Sequence, residues 1–186
     1  MFPSMKTAYL DIETTYLGRL PFPELCRDYQ NHKITVIGIR IVDGAHDSFL
    51  QLVGEQITKA NLMQALEGVE RIVTYNGRSI PDTVKGYIGF DFPVIAAQLG
   101  VVLDKVFKHV DLCPACWKAG LWGGQKPVEE ILGLKRKHPD RDGAWADRTW
   151  KEYKQSGNPQ LLNELLAYNK EDVFMLRAIE EALARR

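Results

Sequence analysis

Thr7-Ala8-Tyr9-Leu10-Asp11-Ile12-Glu13-Thr14-Thr15 is the stretch that decides the fold. Thr7 to Glu13 alternates in an apolar setting and reads as a first β-strand. Side chains two apart on a strand point the same way, so Tyr9, Asp11 and Glu13 share one face while Leu10 and Ile12 share the other. Such a strand is expected at the centre of a sheet, covered on both sides. Two like charges on a covered face are costly unless a cation neutralises them. Hard divalent ions such as Mg2+ or Mn2+ take oxygen ligands and suit paired carboxylates. Taken alone, the pair is equally well explained by an edge strand with an acidic solvent face.

Working outward, Ile34 to Val42 is β-branched and reads as a second strand, Asp43-Gly44 as a hairpin signal, and His46 to Val53 as a third strand. Thr58 is placed to cap a helix running to about Glu67, with Leu62, Met63 and Leu66 on its buried face. Arg71 to Tyr75 reads as a fourth strand ended by Asn76-Gly77. Asp91-Phe92-Pro93 opens a helix through Leu99, with Pro93 in the first turn, where its missing N–H is not needed. His109 to Leu112 is expected to be a short fifth strand. From Cys113 the pattern is helical, broken by Gly120 to Gln125 and by the polar run Lys135 to Asp142. Asn158 and Pro159 start a last helix that runs to about Ala184. The expectation is an α/β fold: a mixed five-stranded sheet, its first three strands antiparallel neighbours, flanked by helices and followed by a helical C-terminal third.

The chain has 186 residues, which fits a single domain over 1–186 with room for a real core. It is 45% hydrophobic and 26% charged, the make-up of an ordinary globular protein. Lys plus Arg (24) equals Asp plus Glu (24), which argues against a tight duplex binder relying on many phosphate contacts. An enzyme holding phosphate through bound metal needs less basic charge. No apolar run is long enough for a membrane helix, and Met1 to Lys6 has no signal-peptide architecture. Three cysteines, Cys26, Cys113 and Cys116, cannot all pair internally, which suits a reducing cytoplasm.

The last helix carries a second constellation. Tyr168 and Asp172 are four apart, hence on one face, and Leu161, Leu165, Leu176 and Ile179 fall close to the same stripe. Alone, this pair is better explained by Asp172 meeting a nearby Lys or Arg and Tyr168 packing in the core. Asp91 alone reads as an ordinary helix N-cap.

The order of the three sets raises all of them. Tyr9 to Thr15, then Thr74-Tyr75-Asn76-Gly77-Arg78-Ser79 followed by Phe90-Asp91-Phe92-Pro93-Val94-Ile95, then Tyr168 through Asp172, resembles the three motifs of the DEDD exonucleases with tyrosine in the third. Val128-Glu129-Glu130-Ile131-Leu132-Gly133 and Gly157-Asn158-Pro159-Gln160-Leu161-Leu162, leading into Tyr168-Asn169 and Asp172-Val173, are similar to the YprB-type RNase H-like domain, a predicted exonuclease family. The resemblance covers nearly the whole chain and implies an RNase H-like fold. It implies a 3′-5′ exonuclease that hydrolyses phosphodiester bonds of DNA or RNA with two divalent cations, Mg2+ or Mn2+, releasing nucleoside 5′-monophosphates. Asp11, Glu13, Asp91 and Asp172 would hold the metal and Tyr168 would orient the attacking water. Thr14, Thr15, Asn76 and Arg78 are the candidate substrate contacts, and Tyr16, Phe90 and Phe92 candidate base-stacking rings. One departure from the family pattern is Ile80 to Gly89, inserted where Asn-Gly-Arg-Ser usually runs almost directly into Phe-Asp. It contains a competing acid, Asp82, which reads as a turn residue. The near-zero net charge is consistent with a protein partner that delivers substrate.

Other features are weaker. Cys113-Pro114-Ala115-Cys116 resembles a redox pair or half of a zinc site with Cys26, His109 or His138, but reads as a coincidence at a helix start. Trp117, Trp122, Trp145 and Trp150 read as packing residues, and Asp140, Asp142 and Asp147 as solvated charge. The rivals are a catalytically silent RNase H-like module that binds nucleic acid or protein, an RNase H-like endonuclease such as a junction resolvase, and a carboxylate-pair glycoside hydrolase. The last does not account for acids in three remote motifs.

Overall fold

The computed structural model describes residues 5–78 and 89–186. The inserted segment with Asp82 therefore lies, apart from Gly89, outside the described residues.

Five strands form one mixed sheet: β1 Thr7–Tyr16, β2 His32–Asp43, β3 His46–Val53, β4 Arg71–Thr74 and β5 Lys108–Asp111, in the order β3-β2-β1-β4-β5. β1 is central, antiparallel to β2 and parallel to β4, and β2 and β3 are antiparallel, as expected from the alternation. The β2–β3 hairpin closes on two residues because Gly44 adopts φ 59°, open to glycine without a Cβ clash.

Among the described residues six α-helices cover the two faces: α1 Lys59–Ala65, α2 Asp91–Leu99, α3 Leu112–Lys118, α4 Gln125–Ile131, α5 Gly143–Ser156 and α6 Pro159–Ala184. On one face Leu10, Ile12, Ile37 and Ile39 pack against Leu62 of α1, Leu66 just after it, and Ile95 of α2. On the other, Tyr9 and Val73 pack with α3, α4 and α6, and Val36 with α5 and α6. The caps are those the sequence offered: Thr58 Oγ1 accepts from Asn61 N at 3.1 Å and Asn158 Oδ1 from Gln160 N at 3.0 Å. Burial of β1 on both sides is therefore what separates Asp11 and Glu13 from an edge-strand pair.

α6 buries Leu165, Tyr168, Asn169, Asp172, Val173, Leu176 and Ile179, a stripe at three- and four-residue spacing. Truncating one of its fully buried aliphatics, such as Leu176, would cost about 2–5 kcal/mol. The stripe presses Tyr168, Asn169 and Asp172 onto the face of β1 that carries the acid pair. Among the described residues no helix is long and apolar enough to cross a membrane.

Candidate active site

β1, β4 and β5 are parallel, so their C-terminal ends lie along one edge of the sheet. Functional sites of α/β folds gather at that edge. Asp11, Glu13 and Asp172 converge there: each offers a carboxylate oxygen, and these oxygens all lie within 4.8 Å of one another. Glu13 and Asp172 are buried and Asp11 is partly so.

Asp91 reaches the cluster across the gap in the described chain. Asn76, in a left-handed conformation with φ 63°, and Gly77 turn the chain after β4. Their carbonyls accept Phe90 N and Phe92 N at 2.8 Å each, which docks the start of α2 against the end of the sheet. Asp111, at the end of β5, holds the same turn: its carboxylate accepts Asn76 N at 2.9 Å and Arg78 N at 3.0 Å. Asp91 caps nothing. The N-cap position is Phe90, and Asp91 Oδ2 is buried with no hydrogen-bond partner among the described residues. The plain N-cap reading of this residue thus fails.

The electrostatics follow from this crowding. Burial first, and then the neighbouring carboxylates, push Asp11, Glu13 and Asp91 well above the usual carboxylate range. Asp11 is repelled chiefly by Asp172, and Asp91 by Asp11, Asp111 and Asp172. Asp172 is raised by burial and held back by the Arg136 guanidinium beside it. Tyr168 is 5% exposed, its hydroxyl bonded to Asp172, and burial together with the three acids drives its phenol upward. Two buried carboxylates and a partly buried one at this separation, with a fourth that has an orphaned oxygen, fit a hard divalent cation: oxygen donors only, excess negative charge, and unsatisfied lone pairs.

These elements are those of a nuclease family. A family model of the RNase H superfamily matches residues 8–184. The chain belongs to the RNase H superfamily. No curated protein matches it. The mixed sheet with its helical C-terminal third is thus the RNase H-like α/β fold, and a nucleic acid is the substrate class that the fold implies.

Within this RNase H-like domain, the other residues singled out from the sequence meet mostly internal partners. Thr14 Oγ1 lies 3.0 Å from His32 Nδ1, and Thr15 Oγ1 donates to Asp147 Oδ1 at 2.6 Å. Asp147 is therefore not solvated charge; it ties α5 to the end of β1 and pairs with Lys151. Asp142 caps α5 through Trp145 N at 2.7 Å, whereas Asp140 is exposed as expected. Arg78 pairs with Asp104 at 3.1 Å. Tyr16 bonds Asp28 at 2.6 Å, Phe90 meets the His32 ring edge-on, and Phe92 is buried against His109. Trp150 packs in the core, but Trp122 is 66% exposed, against the packing expectation. Cys113 and Cys116 are buried in α3 beside Tyr75 with their thiols pushed up to about 12 and about 11, chiefly by burial.

Several residues of the site had no signal of their own in the sequence. Asn169 Nδ2 donates to Asp11 Oδ2 at 2.9 Å while its Oδ1 accepts from Gln51 Nε2 at 2.9 Å. Gly38, opposite Asp11 in β2, makes this possible: a Cβ there would collide with Asn169 Oδ1 and lie 2.8 Å from Val173 Cγ2. Arg136, within the run read as a polar break, is 4% exposed in its side chain and bridges the buried Glu129 and Asp172. Lys126 Nζ lies 5.0 Å from the centre of the Tyr168 ring. Only the neighbourhood of Asn169, inside the Tyr168–Asp172 motif, and of Glu129, inside Val128 to Gly133, was marked beforehand.

Proposed function

We propose that residues 1–186 form a single 3′-5′ exonuclease domain of the tyrosine-bearing DEDD type, akin to the YprB-type domain. It would hydrolyse phosphodiester bonds of DNA or RNA and release nucleoside 5′-monophosphates. The observation that carries this reading is the convergence of carboxylate oxygens of Asp11, Glu13 and Asp172 within 4.8 Å, with Asp91, one oxygen of it orphaned, in electrostatic reach of Asp11 and Asp172. Those four carboxylates would hold two divalent cations, Mg2+ or Mn2+. Bound there, the cations supply Lewis-acid activation of the attacking water and stabilisation of charge on the phosphate.

The chain's own residues do the positioning. Asn169 fixes one oxygen of Asp11 and so leaves the other to face the cluster. Asp172, gripped by Arg136, holds the Tyr168 hydroxyl, which orients the attacking water. We set the terminal nucleotide against Thr14, Thr15 and the turn carrying Asn76 and Arg78, at the ends of β1 and β4. The free thiols suit a reducing compartment such as the cytoplasm, and the zero net charge suits a protein partner that delivers substrate.

The deciding experiment is incubation of 5′-labelled single-stranded DNA and RNA with Mg2+ or Mn2+, comparing wild type with Asp11→Ala. A ladder shortening from the 3′ end, dependent on metal and lost in the variant, is expected. Internal cuts would point to an endonuclease. No cleavage of either polymer by folded, metal-loaded protein would favour a silent binding module.

A further inference from the structure

Lys126 stands out among the charged groups around the acid cluster. Its Nζ is buried and has no hydrogen-bond partner among the described residues. An ammonium carries three donors, and leaving them unpaired away from water is unfavourable. The group is not loosely placed. Gln125, its neighbour, donates to Asp172 O at 3.0 Å and to Glu129 Oε1 at 2.9 Å, which fastens the start of α4 to α6. Lys126 thereby rests over the Tyr168 ring, at 5.0 Å from its centre, and of the opposing charges it feels Asp172 most.

The other described cations nearby are paired with carboxylates. Arg136 bonds Glu129 through Nε and Nη2, and Nη2 also touches Asp172, while Nη1 is buried without a hydrogen-bond partner among the described residues. Arg141 pairs with Glu164 at 2.9 Å and lies over Trp145, and Arg78 pairs with Asp104. With Arg136 and Glu129 cancelling, the four acids carry four negative charges, which two divalent cations would balance. Of the described cations Lys126, Arg136, Arg141 and Arg78, Lys126 alone has no carboxylate at salt-bridge distance, and its charge is equal and opposite to the single charge of a phosphodiester. A chain with 24 basic and 24 acidic residues has no general field to hold a strand, so phosphate contact must come from individually placed groups.

We propose that Lys126 Nζ binds a non-bridging oxygen of the substrate phosphodiester at the acid cluster, on the Tyr168 side. The proposal rests on the nuclease reading given above and names the residue that would receive the phosphate charge.

The test is binding rather than turnover. Fluorescence anisotropy would follow a 5′-labelled oligothymidylate or oligouridylate, in Ca2+ to prevent cleavage, with either an ordinary or a neutral methylphosphonate linkage at the 3′ end. Wild type is expected to bind the neutral strand about 10- to 100-fold more weakly, the range for a hydrogen bond to a charged group. Lys126→Met should discriminate about 10-fold less than wild type, the Ca2+ at the acid cluster keeping the rest of the preference, and Lys126→Arg should recover part of what is lost. Lys126→Met, which removes an unpaired buried charge at similar volume, should melt no lower than wild type. Undiminished discrimination by Lys126→Met would overturn the proposal, as would a fall in its melting temperature, which would make Lys126 a structural partner of Asp172. Strand shortening in Mg2+ or Mn2+ separates the two readings. If wild type shortens the strand and Lys126→Met discriminates normally, only the Lys126 assignment falls. If wild type discriminates through Lys126 but cuts nothing, the nuclease reading falls and the phosphate contact stands. Failure of wild type to bind either strand overturns both.

Discussion

Glu13→Gln exposes the central tension of the site. Glu13 has two carboxylate neighbours, Asp11 and Asp172, with oxygens within 4.8 Å. At an effective dielectric of about 20, a like-charged pair at that separation repels by about 3.5 kcal/mol. Proton uptake by the raised carboxyls relieves most of this, so we expect a net gain of about 1–3 kcal/mol for the metal-free variant near neutral pH. For a chain of this size about 1 kcal/mol moves the melting temperature by about 2–4 °C, so Glu13→Gln should melt about 2–12 °C above wild type in a chelator. The sign with pH is defined by the same groups. Asp11, Glu13, Asp91 and Asp172 have folded pKa values above their unfolded ones, so between the two the folded protein binds more protons. Metal-free wild type should therefore lose stability as pH rises from about 4 through those raised values, and the variant should lose less. Metal opposes that gain, cancelling or reversing it. At about 100 times its dissociation constant, a cation that binds only the folded state adds about 2.7 kcal/mol, and most of that should vanish in Glu13→Gln. Differential scanning fluorimetry in EDTA, Mg2+ and Mn2+ across pH reads all of this. A metal-free Glu13→Gln that melts below wild type, or gains as much from metal, would refute the reasoning.

Further tests bear on the supporting residues. Gly38→Ala should push Asn169 off Asp11, destabilise the protein by about 1–3 kcal/mol and reduce any nuclease activity, seen by thermal melts and a cleavage assay. Arg136→Met leaves Glu129 buried without its partner and should cost about 3–5 kcal/mol, whereas Arg136→Met with Glu129→Leu should recover much of it; a double-mutant cycle with denaturant melts measures the difference. Cys113 and Cys116, with thiols raised to about 12 and about 11, should resist a disulfide reagent at neutral pH in the folded state and react on unfolding. Rapid labelling of both in native protein would contradict their placement.

Some of the site was open to reading because it rests on short-range periodicity. The two-residue repeat of β1 puts Asp11 and Glu13 on one face, and the four-residue step of α6 puts Tyr168 and Asp172 on another, whatever the rest of the chain does. Turn and cap chemistry at Gly44, Thr58, Asn158 and Pro159 is similarly local. Arg136, Lys126 and Gly38 had no such mark. Arg136 meets Asp172 36 positions away and Lys126 meets Tyr168 42 positions away, and Gly38 depends on a strand register that sets it against Asp11 and on the approach of Asn169. The polar run from Lys135 looks solvated because a charged side chain carries no sign of whether its partner will be water or a buried carboxylate. The face that α6 turns to β1 makes that choice. Likewise Asp91 is an ordinary helix-start acid until backbone bonds from Asn76 and Gly77 carry α2 to the sheet edge. The sequence by itself determined which acids are paired and which faces they occupy, since that follows from local geometry. Only the tertiary structure decided that the acids meet, and which cations stand beside them, since packing of distant elements sets both.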